Sequence, residues 1–306
     1  VTTFKPAGKV PPLRGPLHNP MFEHTITRSG DLILMKLQAT CAATAALAPA
    51  AVLAWGAPPV PAQAQTINLV PHRAIYELSL GKVRGGKASV QNARGRLLYD
   101  FTGSACEGYT LEFRQVAELD NGEGKISLSD LRSNTWEDGT ARSYRFASQN
   151  HLNQKLLDSV DGKAERASGG GIAVTLTKPE PRKVDLEAAI VFPTEHVRRI
   201  IQAARDGQTI LEFPIYDGSE TGEKVYNSLT VIGREIGPGE RDLPDAASGN
   251  TVLAGLRRWP VTVSYFERNK PAGEQTPVYS ISFDLYENGV SRTLVLDYND
   301  FSISGV

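Results

Sequence analysis

Histidine and cysteine are scarce in this chain of 306 residues, five and two respectively, and the scarcity narrows the chemistry at once. A metal centre needs two to four His, Cys, Asp or Glu ligands, usually with close pairs on one element. Beyond residue 64 only His72, His151 and His196 remain. They are far apart, with no H-x-H or H-x₃-H pair, so no metal and no cofactor is expected. A surplus of positive charge is missing as well. Formal net charge is -1, whereas displacing counterions from phosphates takes clustered Lys and Arg, which excludes DNA or RNA as the main partner. No apolar run reaches the roughly 20 residues that span a bilayer. Nor is there a G-x-S-x-G elbow, since Gly103-Ser104-Ala105-Cys106 leads into a second strand and not a helix. Gly169-Gly170-Gly171 has no following Lys-Ser/Thr and makes no phosphate loop. Repeats of 20 to 50 residues and low-complexity linkers are also absent.

What is present begins with a leader. Residues 1–34 open on Val1 and carry Pro6, Pro11, Pro12, Pro16 and Pro20 without a sustained apolar period; they read as a disordered upstream extension, with Met35 the start. Residues 35–64 read as a signal peptide: Lys36 supplies the basic end, an Ala-rich stretch from Cys41 to Trp55 the apolar centre, and small residues precede a cleavage between Ala64 and Gln65. The apolar run follows Cys41 where a lipobox would need it before, so acylation is rejected. The first 64 residues hold five basic and two acidic side chains, leaving 28 basic against 32 acidic in residues 65–306. The expected product is a soluble, mildly acidic protein of the periplasm or exterior, an oxidising compartment, that does not span the membrane.

Residues 65–306 are read as one domain. Its organising stretch is 97–113, LLYDFTGSACEGYTLEF, in which Leu97, Tyr99 and Phe101 alternate with Leu98, Asp100 and Thr102 before a turn bracketed by Gly103 and Gly108. Alternation is the period of a strand with one buried face, and the glycines supply the positive φ such a turn requires. Further strand signals span 72–80, 90–101, 109–119, 125–131, 141–147, 172–177, 210–216, 224–232, 261–267, 278–285 and 291–296, separated by Gly, Asn and Asp. About a dozen strands argue an all-β fold, an antiparallel sheet that must curl or close so as not to expose two edges and a bare face. One helix is expected after Pro193, with Thr194 as N-cap, a Val197, Ile200, Ile201 and Ala204 stripe, and Gly207 as its end. It should cover an open face or end of the sheet.

Two sets of side chains are candidates for function. Cys106, on a glycine-flanked turn, reads as core filler, as a disulfide anchor, or as a nucleophile needing a histidine base from elsewhere. The aromatics Tyr76, Phe113, Trp136, Trp259, Tyr265 and Tyr279, with Tyr144 and Phe146, would either fill the core or line a concave cleft for an apolar or amphipathic ligand. Glu77, Glu112 and Asp284 fall on polar phases of their strands and read as solvated.

The segments PHRAIYELSL (71–80), YDFTGSACEGYTLEFR (99–114), SDLRSNTWEDG (129–139), FPTEHVRRIIQAAR (192–205), FPIYDGSETGEKVY (213–226) and FDLYENGVSRTLVLDYNDF (283–301) occur in that order. Together they resemble the EipB cell-envelope integrity family of alphaproteobacteria. The resemblance implies a periplasmic protein whose strands coil into a spiral or broken barrel with an associated helix, acting in envelope maintenance with no enzymatic activity. It also implies a disulfide whose first cysteine matches Cys106; the second lies past the region matching DYNDFSISG and has no counterpart before Val306. Such a bridge would close a loop of roughly 200 residues and contribute about 4 to 5 kcal/mol. The expected function is therefore binding of an envelope lipid, polymer or protein. A cysteine-dependent enzyme using Cys106 and a scaffolding subunit of an envelope complex are the alternatives.

Overall fold

The computed structural model describes residues 67–85, 90–240, 245–268 and 276–306; the upstream extension, the signal peptide and the Ala64–Gln65 junction lie outside them. Fourteen strands, joined into one antiparallel sheet, account for most of the described chain. They are β1 (His72–Val83), β2 (Asn92–Ser104), β3 (Gly108–Asp120), β4 (Ile126–Glu137), β5 (Ser143–Leu152), β6 (Lys155–Arg166), β7 (Ile172–Lys178) and β8 (Arg182–Leu186), then β9 (Ile210–Ile215), β10 (Tyr226–Ile232), β11 (Arg258–Glu267), β12 (Tyr279–Tyr286), β13 (Ser291–Asp297) and β14 (Phe301–Gly305). Helix α1 (Pro193–Arg205) joins β8 to β9, and a single turn of helix, α2 (Thr251–Ala254), precedes β11.

Every strand pairs with its sequence neighbour except at one place. The sheet order is β8 to β1 and then β14 back to β9, so the first and last strands are zipped together, Leu78 opposite Gly305 and Leu80 opposite Ile303. Two meanders are thus stitched through the most distant parts of the sequence. The sheet does not close: β8 and β9 are its edges. The link between them narrows the gap, since Val191 bridges Ile215 in parallel, its N–H on the Pro214 carbonyl at 2.9 Å.

Most of the strand readings are borne out, as is the curled, unclosed all-β architecture. Three strands escaped the pattern. β6 is KLLDSVDGKAER, with only Val160 and Ala164 buried, and β8 and β14 are five residues each. Charged or very short strands leave too little alternation to detect. The β2–β3 turn has the expected form, with φ of 102° at Gly103 and 82° at Gly108.

The inner face carries the core. Ile200, Ile201, Ala203 and Ala204 of α1 pack on Phe101, Tyr109, Trp259, Val261 and Leu285. A second cluster fills the β5–β8 side around Tyr144, Phe146, Phe192 and Tyr216, and a third joins β1, β2, β13 and β14 through Tyr76, Leu78, Leu97, Leu296 and Ile303. Asp284 is not solvated as expected. It is buried and accepts from Arg258 Nε at 3.1 Å, because the β11–β12 register sets Arg258 opposite Tyr286, diagonal to Asp284 on the same face. Glu77 and Glu112 are exposed as read.

Candidate functional site

Because side chains alternate along a strand, one face of β1, β2, β3, β11, β12 and β13 converges as the sheet coils. Between these strands and α1 lies a cavity of about 390 Å³. Its lining is dominated by Leu, Ile, Val, Phe and Tyr, with His72, Gln115, Thr135, Thr194, His196, Asp217 and Ser291 as the polar members. One carboxylate and no Lys or Arg belongs to that lining.

Four of the six aromatics expected in a cleft are there: Tyr76, Phe113, Tyr265 and Tyr279. Tyr76 is fixed by donating its hydroxyl to the Ser291 carbonyl at 2.7 Å. Tyr265 and Tyr279 stack at 4.7 Å between ring centroids, and Tyr226 meets both edge-on at 6.3 and 6.5 Å. Burial pushes both stacked phenols well up from their ordinary pKa, with the negative charge of Asp217 adding to the effect.

The other two aromatics are elsewhere. Trp136 sits on the outer phase of β4, opposite Arg145, whose guanidinium lies 4.9 Å from the ring centroid. Its indole N–H reaches the Glu107 carbonyl at 3.3 Å, and its ring covers Gly108, where a Cβ would approach within 2.7 Å. Trp136 therefore buttresses the turn from outside. Trp259 is on the inner face but buried among the helix contacts, because α1 covers that end of the sheet. Tyr144 and Phe146 are core, stacked on one another and each edge-on to Tyr216, with Phe192 stacked on Tyr144.

Cys106 is exposed at the tip of its turn and is free among the described residues, which removes the core-filler reading. No hydrogen bond links it to a histidine there. His72 and His196 line the cavity instead. His72 gives its Nδ1 to the Val70 carbonyl at 2.8 Å and leaves Nε2 buried without a partner. His196 sits 3.3 Å from the Thr230 hydroxyl, and burial, with Arg199 adding to it, holds its pKa down to about 4. Among the described residues no group of three or more His, Cys, Asp or Glu could hold a metal ion.

The helix start departs from the sequence reading. Phe192 is the N-cap, Pro193 opens the first turn, and neither Thr194 nor any local side chain caps it. Glu137, at the end of β4, does so from 57 residues away: its carboxylate accepts the N–H groups of Thr194 and Glu195, each at 2.7 Å. Local signals could not reveal this, because the cap depends on where β4 ends in space.

Asp217 was also missed. It follows β9 and projects into the cavity lining, where Ser219 N–H donates to Oδ1 at 2.9 Å. Its own carbonyl accepts the Tyr144 hydroxyl at 3.0 Å. Gly218 next to it has φ of 70°, and a Cβ there would lie 2.3 Å from the Phe146 ring. Desolvation pushes the Asp217 pKa up, the Ser219 hydrogen bonds pulling against it.

Comparison with known proteins places this geometry. The EipB-like family model matches residues 63–306. The chain belongs to the EipB-like family. The cell envelope integrity protein EipB of Brucella abortus (strain 2308) is 35% identical over 245 residues, 79% of this chain and 84% of that one. A crystal structure of a beta-barrel-like protein from Brucella abortus, described as a domain of unknown function, superposes with a TM-score of 0.72 at 34% identity, covering 78% of this chain and 96% of the other. The fold is thus shared with that beta-barrel-like protein, and the cavity of this chain lies between its sheet and α1.

Proposed function

We propose that this protein maintains the integrity of the cell envelope by holding an apolar or amphipathic envelope ligand in the cavity, as a binding protein of the periplasm and not as an enzyme. The observation that carries the reading is the cavity: about 390 Å³, walled by apolar side chains of both meanders and α1. Pockets that accept small ligands have this size and this make-up. The name of the Brucella relative supports the envelope role. No helix among the described residues is long and apolar enough to cross a membrane, in keeping with an exported protein that meets its ligand from the aqueous side.

Filling the cavity tests the reading. Val197, on the inner side of α1, lines it, and Val197→Trp occupies space a ligand would need. Mass spectrometry of lipids co-purifying with the protein from its native envelope should find a bound species in the parent chain and lose it in the variant. Equal lipid in both, or none in the parent above controls, overturns the proposal. Cys106→Ser should restore envelope resistance to a deletion strain as fully as the parent chain. Failure to do so would revive the cysteine-enzyme reading.

A further inference from the structure

The cavity specifies more than an apolar guest, provided that it holds a ligand as proposed for its function. Its volume, about 390 Å³, is near the lower end of the roughly 300–1,000 Å³ typical of ligand pockets, which favours a guest with one chain over one with two.

The wall made by β11 and β12 changes character in one direction. Inward positions on β11 read Trp259, Val261, Val263, Tyr265, and their partners on β12 read Leu285, Phe283, Ile281, Tyr279. The helix-covered end of this wall is therefore without hydroxyls and the other ends in the stacked tyrosine pair. Asp217 belongs to the tyrosine end: β9 places Ile215 opposite Tyr226, which touches both stacked rings, and Asp217 follows two residues on. Gly218 against Phe146 and Tyr144 on the Asp217 carbonyl fix the backbone at this position, and the Ser219 N–H holds the carboxylate through Oδ1. No salt bridge to Lys or Arg neutralises it among the described residues, and no cation belongs to the lining. A carboxylate offers about four acceptor sites, so beyond the Ser219 donors it can take a donor from a ligand, whereas an anionic head group would be repelled by it.

We infer that the cavity takes the single acyl or alkyl chain of an amphiphile whose head group carries hydroxyl or ammonium donors, with the head on Asp217 beside Tyr265 and Tyr279 and the chain directed toward Leu285 and Val197.

Calorimetric titration of the full chain at pH 7, with each probe below its micellar concentration, tests this. Monolauroylglycerol and dodecylamine are the donor-headed probes, laurate has the same chain with an anionic head, and dilauroylphosphatidylethanolamine has two chains. The donor-headed probes should bind one to one, laurate about tenfold more weakly or worse, and the two-chain lipid not at all. Asp217→Asn should abolish the discrimination against laurate; the comparison of heads on the parent chain stands even if that variant fails to fold. Equal affinity for laurate and monolauroylglycerol overturns the role of Asp217 while leaving cavity binding intact. Stoichiometric binding of the two-chain lipid overturns the single-chain limit. No binding of any probe by parent chain that melts cooperatively removes this inference and the binding reading together.

Discussion

At position 137 a carboxylate takes the part that a serine or threonine has at most helix starts. It satisfies two of the four N–H groups a helix leaves unpaired, and it faces the positive end of the dipole. The carboxylate is buried, with Arg198 3.9 Å away. Burial pushes its pKa up to about 7 from an ordinary 4.5, the two backbone donors pulling the other way. The unfolded chain therefore loses this proton first, and the stability tied to Glu137 is complete below about 4.5 and declines as pH rises to about 7. His196 has the opposite slope. Its pKa is depressed from 6.5 to about 4, so its contribution is present above 6.5 and is lost as pH falls toward 4. The two oppose one another between about 4.5 and 6.5 in the parent chain. Glu137→Gln should expose the histidine slope, with stability rising with pH across that window, and should cost about 1 to 2 kcal/mol for the N–H left without an acceptor. Urea unfolding at pH 4.5, 5.5 and 7 checks this; parallel pH profiles for parent and variant would contradict it.

The link from β8 through α1 to β9 spans the two sheet edges, and one side chain of β6 pins it. Arg166 donates to the carbonyls of Ala141, Ala188 and Ile190 and to Glu195 at 2.8 to 3.1 Å, with its guanidinium 5.0 Å from the Phe192 ring centroid. A planar fork serves several acceptors at once, where an ammonium is a point charge. Arg166→Lys should therefore destabilise by about 2 kcal/mol or more, and hydrogen exchange should quicken at Val191 and Tyr216, whose N–H groups make the bridge across the edge. Unchanged exchange at those amides would show that the link is held by its apolar contacts alone. The turn after β9 is as tightly determined. Gly218→Ala adds a methyl against Phe146 at a left-handed backbone position, each effect costing about 1 to 2 kcal/mol. Denaturant midpoints should fall accordingly, and discrimination between head groups should weaken because Asp217 is displaced; an unaltered preference would show that Asp217 is positioned without the turn.

Seen as a whole, the sheet depends on contacts between its first and last strands, β1 with β14, more than 200 residues apart. Until they meet, the two meanders cannot enclose anything, so cavity and cooperativity arise in the same step. A ligand held between the meanders should stabilise both together by mass action. At a hundred times its Kd the gain is about 2.7 kcal/mol, seen as a raised midpoint in a single thermal transition and absent in Val197→Trp. Two separate transitions, only one of them ligand-sensitive, would show that the meanders melt independently.

Eleven of the fourteen strands, the helix over 193–205, the Gly103 and Gly108 turn and the curled sheet were legible in the sequence, because each rests on a period of two or 3.6 or on a local φ requirement. The location of the cavity was not, nor was the fate of the two tryptophans. Trp136 and Trp259 look alike as strand aromatics, yet one clamps a turn on the outer face and the other is sealed under α1. The cap from Glu137, the burial of Asp284 against Arg258 and the entry of Asp217 into the lining depend equally on register and coiling. Short-range pattern settles which face of a strand is apolar. Which distant strand that face meets is decided only when the sheet coils and its two ends are joined.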